Sequence, residues 1–410
     1  MNRHSLLHFF ARTGLLLSYA FYLAWDRGPL FGVGILLVGG LLTLCLALPQ
    51  LQLGSYHKLL GLLAACSLTW FAINAYHGES SSSYDLASRY LLCVLVLLLF
   101  IDHLPSFKWF LGASAIGAIV SAGVGGWEFY VLNYPRADGY TGVIQFGNIA
   151  LMLGIFSLSG ALYRLPDQPS WHKALCLLGG VMGFYASFMS GSRGGWIALP
   201  FVALLILVSQ INKSNLKRVL ASVVVLMVVL TVAALNSRSF NERIDMLRYD
   251  VQQYTQGNPD TSIGNRFALW VEVLRLIQQQ PVLGYPSREY RAELQKVADA
   301  QPKLSAAMGL ANTHNSFLEI LVFYGFLGLL PFLALLAYGL YYFLPKLRAA
   351  NTQQRAIAMC GSALIVNYII FSQSQVMFHR NNTLIFFLIS LVYLWVGLAQ
   401  ASQAMTKKLK

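Results

Sequence analysis

The chain has 410 residues, of which 57% are hydrophobic and only 11% are charged. This composition lies outside the range of soluble globular proteins, so it excludes both a water-soluble enzyme and a soluble domain on a single membrane anchor. The formal net charge of +13 arises mainly from short loops and from the tail Lys407, Lys408 and Lys410, which suits anionic membrane lipids. We do not interpret this charge as a nucleic-acid-binding surface.

Apolar runs of about 20 residues, long enough to cross roughly 30 Å of hydrocarbon, recur along the chain. They predict twelve transmembrane helices, with spans at 10–25, 29–49, 58–77, 86–104, 107–132, 142–163, 172–190, 194–211, 217–236, 315–343, 356–377 and 382–400. The first run is short and contains Arg12, but no signal-peptide cleavage site follows it, so we predict a helix there too. The fold class is therefore an all-α polytopic membrane protein.

Lys and Arg are distributed unevenly between the two sides of the predicted membrane. The side with both termini has fifteen of them in its short loops and tails: Arg3, Arg12, Lys58, Lys108, Arg164, Lys173, Lys213, Lys217, Arg218, Lys346, Arg348, Arg355, Lys407, Lys408 and Lys410. The short loops of the opposite side have five: Arg27, Arg89, Arg136, Arg193 and Arg380. Because cytoplasmic loops are enriched in Lys and Arg, we predict cytoplasmic termini.

This orientation divides the chain into four parts. Residues 1–236 form helices one to nine, 237–313 a large periplasmic loop, 314–400 helices ten to twelve, and 401–410 a basic cytoplasmic tail. Within the loop, helical periodicity predicts amphipathic helices at Phe240–Gln256 and Ser262–Gln280 and a third helix at Pro286–Asp299. The second helix has an apolar stripe of Phe267, Trp270, Val271, Leu274 and Ile277.

Several common kinds of site have no motif in this sequence. All five cysteines, Cys45, Cys66, Cys93, Cys176 and Cys360, lie in apolar spans. Because none lies in the loop, we expect no disulfides. The chain has no CxxC, HExxH, P-loop or GxSxG motif. Metal, nucleotide and serine-hydrolase sites therefore lose their usual support.

Polar residues at the mouth of a helix bundle are costly unless they are paired or functional. In the turn SGSRGGW, Arg193 lies among glycines, and the next helix is predicted to begin near Gly194. Backbone N–H groups, a helix N-terminus and a guanidinium can bind one phosphate together. An interfacial arginine in a short turn fits the same pattern.

Two further elements carry candidate residues. Arg266 lies near the start of the second loop helix, in GNRFALW, where a solvated residue is the competing interpretation. His314 and Asn315 open the tenth span, and a histidine at a dry membrane surface can take a proton from a sugar hydroxyl. A helix-capping or interfacial histidine is the alternative. Glu319 follows, and we expect it to be a buried, paired carboxylate.

Weaker candidates lie in two other predicted outward turns. Arg136 belongs to the Pro- and Gly-containing loop NYPRADGYTG, and His379 and Arg380 to the last outward turn. An ordinary turn explains each of them equally well.

Three motifs occur together in a fixed order: the SRGGW turn, an R-x3-W helix followed by QQQPVLGYP, and H-N-x9-G from His314 and Asn315 to Gly325. Together they resemble the O-antigen ligase family over roughly residues 136–330. The resemblance implies a GT-C-type membrane glycosyltransferase with a helical periplasmic loop, in the bacterial inner membrane. Such enzymes transfer an O-antigen from undecaprenyl diphosphate to a lipid A core sugar, with inversion and without a metal or other cofactor, completing lipopolysaccharide.

The resemblance also implies roles for individual residues. His314 would be the general base for the acceptor hydroxyl, and Arg193 and Arg266 would bind the donor diphosphate, with Arg136 and Asn315 as accessory residues. An O-antigen polymerase, which uses a lipid-linked chain as acceptor, shares this donor chemistry and stays open. A transporter of lipid-linked oligosaccharide is the non-enzymatic alternative, although the sequence lacks the mid-membrane charges and internal repeats of such proteins.

Overall fold

The computed structural model describes residues 2–24, 26–47, 54, 56–211, 217 and 238–409. Across these residues the chain forms fifteen α-helices and no β-strand. The helices are α1 (Arg3–Ala20), α2 (Gly28–Ala47), α3 (His57–Tyr76), α4 (Asp85–His103), α5 (Phe107–Tyr130), α6 (Val143–Leu162), α7 (Ser170–Met189), α8 (Leu199–Gln210), α9 (Arg238–Thr255), α10 (Ser262–Gln279), α11 (Ser287–Ala300), α12 (Ser305–Met308), α13 (Ser316–Phe343), α14 (Thr352–Phe371) and α15 (Asn381–Leu409).

Eight helices of the described residues are long and apolar enough to cross a membrane: α2 to α6 and α13 to α15. Helices α1, α7 and α8 lie at the positions of the predicted first, seventh and eighth spans. The predicted ninth span, 217–236, lies outside the described residues apart from Lys217. The predicted fold class, an all-α polytopic membrane protein, is confirmed. Helices satisfy their backbone hydrogen bonds within one segment, which the hydrocarbon core of a membrane demands.

Three helices form the centre of the bundle. In the most apolar window of α15, 89% of the residues are buried, and the values for α6 and α14 are 83% and 78%. In α2 the corresponding share is 33%, so this helix lies at the periphery. The central helices end in the turns that carry the candidate residues, so the tightest packing of the molecule supports the site.

The loop between the two sets of apolar helices forms three helices, α9 to α11, within about two residues of the predicted boundaries. Helices α10 to α12 share a small core with Val322 of α13. The apolar stripe of α10 is buried only in part, because Val271 and Leu274 are 63% and 48% exposed. The buried face instead contains Ala268, Leu269, Val273, Leu276 and Ile277. Helical spacing alone does not distinguish between two adjacent apolar faces; the position of α13 does.

The segment after α10 docks against a kink in α13. The backbone N–H groups of Phe326 and Leu327 donate to the carbonyls of Pro281 and Val282 at 2.8 and 3.1 Å. Gly325 has φ 57° and ψ −166°, a conformation essentially restricted to glycine. A Cβ at Gly325 would lie 2.2 Å from the carbonyl oxygen of Val282. The kink fixes α10 to α12 on one end of the bundle, which we call the loop end.

We predict that Gly325→Ala destabilises the protein, because the new methyl group must displace the docked backbone and the residue must adopt a disfavoured φ. Backbone strain alone costs about 1–3 kcal/mol. The measurement is the thermal unfolding of the purified protein in detergent. Gly126→Ala is the matched control, since a Cβ at that helical glycine meets no atom within 4 Å. Equal unfolding temperatures for the two variants would contradict the importance of the kink.

Candidate functional site

The site at the loop end is built on Thr313, a fully buried residue just before α13. Its backbone N–H donates to Oε2 of Glu319 at 2.8 Å, and its carbonyl accepts from the indole Nε1 of Trp270 at 2.7 Å. Its hydroxyl donates to the carbonyl of Asn315 at 2.8 Å. All hydrogen-bonding groups of this residue are therefore satisfied within the protein, which fixes the position of the next residue.

His314 has a positive φ of 54°, which is uncommon for a residue with a side chain. Its N–H donates to Oδ1 of Asn312 at 3.0 Å, a local turn bond typical of Asn. The side chain is half-buried, and its Nδ1 is buried without a hydrogen-bond partner in the described part of the chain. Strained backbone and an unsatisfied buried polar atom are features that cluster at functional sites.

Asn315 is the N-cap of α13. Its Oδ1 accepts from the backbone N–H groups of Phe317 and Leu318 at 2.9 and 3.2 Å, and its Nδ2 donates to Gln373 at 3.4 Å. An Asn in this role satisfies N–H groups that the first turn of a helix leaves unpaired. The structure therefore gives Asn315 a positioning role beside His314.

Arg266 and Trp270 are one helical turn apart on α10, so they share a face of the helix. The bond from Trp270 to Thr313 turns this face toward His314. Arg266 is half-buried, and burial lowers the pKa of its guanidinium. It makes no hydrogen bond or ion pair with any residue that the structure describes. The R-x3-W motif thus consists of an anchor and an uncompensated positive charge.

Arg380 also faces this site, from the turn between α14 and α15. Its Nε donates to the side-chain oxygen of Gln145 at 3.0 Å when the Gln145 amide is turned to present that oxygen. Burial, then the charges of Arg266 and Arg380, lower the pKa of His314 to about 4. The imidazole is therefore neutral at pH 7 and able to accept a proton.

Arg136 lies against the turn between α7 and α8. Its Nε donates to the carbonyl of Ser190 at 2.7 Å, and the N–H of Ala137 donates to the carbonyl of Met189 at 3.1 Å. Buried Glu128 of α5 accepts from the backbone N–H groups of the same loop, at Asp138 and Gly139. The loop around Arg136 is consequently fastened to both α5 and the end of α7.

The side chain of Arg193 lies outside the described part of the structure, whereas its backbone begins a 3-10 helix, Arg193–Ala198. The regular helix α8 continues it from Leu199, so the chain is helical from Gly194 to Gln210 and the predicted helix start near Gly194 is confirmed. A Cβ at Gly194 would lie 2.6 Å from Oγ of Ser374. The missing side chain of Gly194 therefore allows the backbone of this turn to pack closely against Ser374. Because Ser374 follows Gln373, the partner of Asn315, the backbone of Arg193 is brought to the loop end.

Glu319 is buried, as predicted, and its partner is the N–H of Thr313 rather than an ion pair among the described residues. Sequence reasoning missed Arg291 of α11, which donates to the carbonyls of Leu310 and Ala311 at 2.8 and 2.7 Å. It also missed Gln145, whose only signal was a polar residue in the first turn of an apolar span. Both residues hold or extend the site from helices distant in sequence.

The arrangement combines a neutral imidazole with the guanidinium groups of Arg266 and Arg380, which form no salt bridge with another described residue. Such a set can bind an anion beside a proton acceptor. Of the residues predicted from sequence, the structure brings together His314, Asn315, Arg266 and Arg380. It places Arg136 against the turn that leads to Arg193. His379 instead faces the rings of Trp70, Phe323 and Tyr324.

Comparison with known proteins adds three similarities. A family described as O-antigen ligase matches residues 178–333, which include the turn at Arg193, helix α10 and the start of α13. An uncharacterised protein of Haemophilus influenzae is 28% identical over 306 residues, covering 74% of this chain and 76% of that protein. An O-antigen ligase of Escherichia coli K12 is 26% identical over 218 residues, so the match spans 52% of this chain and half of that ligase.

Proposed function

Because the chain belongs to the O-antigen ligase family, we propose that it transfers an O-antigen polysaccharide from undecaprenyl diphosphate to a sugar of the lipid A core. The reaction would complete lipopolysaccharide. The observation that carries the proposal is the position of His314, whose Nδ1 has no hydrogen-bond partner among the described residues, beside the positive charges of Arg266 and Arg380. A glycosyl transfer from a diphosphate needs a base for the acceptor hydroxyl and positive charge for the leaving group, and this site offers both.

In the proposed reaction, His314 accepts the proton of the acceptor hydroxyl while the hydroxyl oxygen attacks the anomeric carbon of the donor sugar. A new C–O bond forms as the bond from the anomeric carbon to the diphosphate oxygen breaks, and attack from the opposite face inverts the configuration. A positioned general base contributes a factor on the order of 10² to 10⁴ in rate. The polyprenyl diphosphate leaves with the bond electrons, so the step requires no ATP.

The leaving diphosphate develops negative charge, and we assign its stabilisation to Arg266 and Arg193, with Arg380 and Arg136 as further basic residues at the loop end. Guanidinium groups form forked hydrogen bonds to phosphate oxygens and remain charged at any working pH. Four arginines can supply the charge stabilisation that divalent metal ions give in other phosphate-transferring enzymes. We therefore propose a metal-independent reaction.

We also propose that the loop end faces the periplasm and that both termini are cytoplasmic. The proposal rests on the excess of Lys and Arg in the short loops of the opposite side. In this orientation residues 237–313 form a periplasmic loop, and the site meets donor and acceptor lipids in the outer leaflet of the inner membrane.

The first experiment gives the purified protein an undecaprenyl-diphosphate-linked oligosaccharide and a lipid A core, without metal or ATP, and resolves the products by gel and mass. We expect sugar to be attached to the lipid A core. Longer undecaprenyl-linked chains with an unchanged lipid A core would instead identify a polymerase. An absence of any covalent product would favour a transporter.

In the same assay we expect His314→Asn to reduce transfer by a factor on the order of 10² to 10⁴. Asn tolerates positive φ better than most residues, so this variant keeps the backbone conformation, and its unfolding temperature serves as the folding control. His314→Ala is the second variant. Full activity in a correctly folded His314→Asn protein would exclude the proposed base.

For the arginines, we predict that Arg193→Ala and Arg266→Ala each reduce transfer by a factor on the order of 10² to 10³, as loss of one transition-state donor does. Replacement by Lys should restore only part of the rate, because an ammonium lacks the forked geometry. Arg288→Ala, on the exposed face of α11, is the matched control. If Ala, Lys and control variants were equally active, the diphosphate role would be wrong.

The low pKa of His314 leads to a pH prediction. Burial is the largest cause of the low value, and the charges of Arg266 and Arg380 lower the pKa further. An anionic diphosphate neutralises these charges, so we expect a higher pKa in the donor complex. Because only neutral His314 accepts a proton, activity falls as the pH drops through this pKa. We expect the acid limb of kcat to lie at higher pH than that of kcat/KM for the donor, which reports the free enzyme near pH 4.

The measurement is the initial rate of transfer between pH 4 and pH 8 at limiting and at saturating donor. Arg380→Gln removes one of the charges that lower the pKa, so it should move the limb of kcat/KM to higher pH. The proposed coupling between donor binding and the pKa of His314 would be contradicted if the acid limbs of kcat and kcat/KM coincided in the wild type and Arg380→Gln did not move them.

A further inference from the structure

A separate cavity of about 230 Å³ lies at the loop end between α3, the start of α11, α13 and the turn before α15. One of its walls is aromatic. The ring of His379 lies 5.9 and 5.8 Å from the rings of Phe323 and Tyr324, and Trp70 stacks on Tyr324 at 4.5 Å. The indole Nε1 of Trp70 donates to the carbonyl of Gly328 at 3.1 Å, which fixes this wall.

The facing wall is polar and already ordered. The carboxylate of Glu79 accepts from the N–H of Ser287 and from Oγ of Ser83 at 3.1 Å. Asn74, which is buried, donates to the carbonyl of Ser83 at 2.9 Å. A carboxylate offers about four acceptor positions, so Glu79 retains capacity for hydroxyl groups of a ligand.

An unsatisfied atom adjoins the cavity. Nδ1 of His379 is buried and has no hydrogen-bond partner among the described residues. Buried polar atoms are usually paired, and each exception calls for an explanation. Because this atom is buried, a ligand hydroxyl inside the cavity can bond to it only after a rotation of the imidazole ring.

The lining selects against anions. All of the lining residues belong to the described part of the chain, and they include the carboxylate of Glu79 but no Lys or Arg. A phosphate or diphosphate would meet a like charge here. The aromatic wall with a few polar groups matches the general composition of small-ligand sites, and the volume lies below their usual range of about 300–1,000 Å³. A single uncharged sugar ring, with apolar C–H faces and hydroxyl edges, has this chemistry.

The turn before α15 separates the cavity from the basic side of the site. His379 faces α3 and α13, whereas its neighbour Arg380 faces Gln145 of α6 and His314. In the proposed function, the acceptor must approach the anomeric carbon from the side opposite the diphosphate. The cavity lies on the side of the turn away from α6 and the Arg136 loop, which is the side that suits the acceptor in the proposed function.

We propose that this cavity is a subsite for one uncharged sugar unit of the acceptor oligosaccharide. The acceptor assignment rests on the proposed function, whereas the recognition of a sugar rests on the cavity itself. The subsite would hold the acceptor chain by a unit near the reacting sugar and thereby orient the attacking hydroxyl toward His314.

The test uses the full-length protein in detergent and, as probe, the free core oligosaccharide released from lipid A. Binding is measured without donor by saturation-transfer NMR, and transfer kinetics are measured with the intact acceptor. Glu79→Gln removes the charge but keeps the shape, and His379→Phe keeps an aromatic ring but removes both imidazole nitrogens. Glu289→Gln, on the exposed face of α11, is the matched control.

We expect the wild type and Glu289→Gln to bind the free oligosaccharide, and Glu79→Gln and His379→Phe to bind it at least tenfold more weakly. In transfer, these two variants should raise KM for the acceptor at least tenfold while KM for the donor stays unchanged. If both variants unfold at the same temperature as the wild type, their weaker binding results from the change in the cavity and not from a loss of folding.

Unchanged binding and unchanged acceptor KM in both variants would overturn the subsite while leaving the proposed function intact. A raised KM for the donor, or competition by the free donor oligosaccharide, would assign the cavity to the donor and overturn the acceptor role. A third outcome is that the protein binds the free oligosaccharide in a way that depends on Glu79 but has no transfer activity. This result would overturn the acceptor role and the proposed function, whereas the recognition of sugar by the cavity would stand.

Discussion

The candidate site depends on how the chain is held at Thr313. One backbone group of this buried residue is fixed from within α13, by Glu319, and the other from α10, by Trp270. A buried backbone group without a partner is costly, so the two bonds make the contact between the loop helices and the bundle specific. These two bonds, which we call the clamp, fix the unusual backbone conformation of His314 and hold Arg266 beside it.

The second consequence is electrostatic. The clamp brings a histidine and two arginines together at the boundary between protein core and solvent, and the buried carboxylate of Glu319 accepts a backbone N–H rather than forming a salt bridge with another described residue. Partial burial weakens screening, so each positive charge acts strongly on its neighbours. Such an arrangement is unfavourable in the empty protein and becomes favourable when an anion arrives. In the proposed reaction, this change couples the binding of the donor to the pKa of His314.

Much of the molecule follows from local pattern. Apolar runs placed the described transmembrane helices, and periodicity placed α9 to α11 within about two residues. The sequence pattern was insufficient where two arrangements have the same local spacing and only helix packing distinguishes them. Val271 and Leu274 have the same spacing as a buried stripe but face outward, because α13 lies against the neighbouring face. Gly194 was expected to make room for a ligand, and it makes room for Ser374.

The sequence by itself determined the membrane class, the helices, the candidate residues and the order of the motifs, because each of these depends on residues close together in the chain. Only the tertiary structure decided which candidates meet. From the sequence, Arg380 was a weaker candidate that an ordinary turn explained equally well. The packing of α14 and α15 places it beside Gln145 and His314. The neighbouring His379 lies apart from Gln145 and His314, and its ring faces the aromatic wall of the cavity. Contacts between residues far apart in sequence arise from helix packing, and no local pattern contains them.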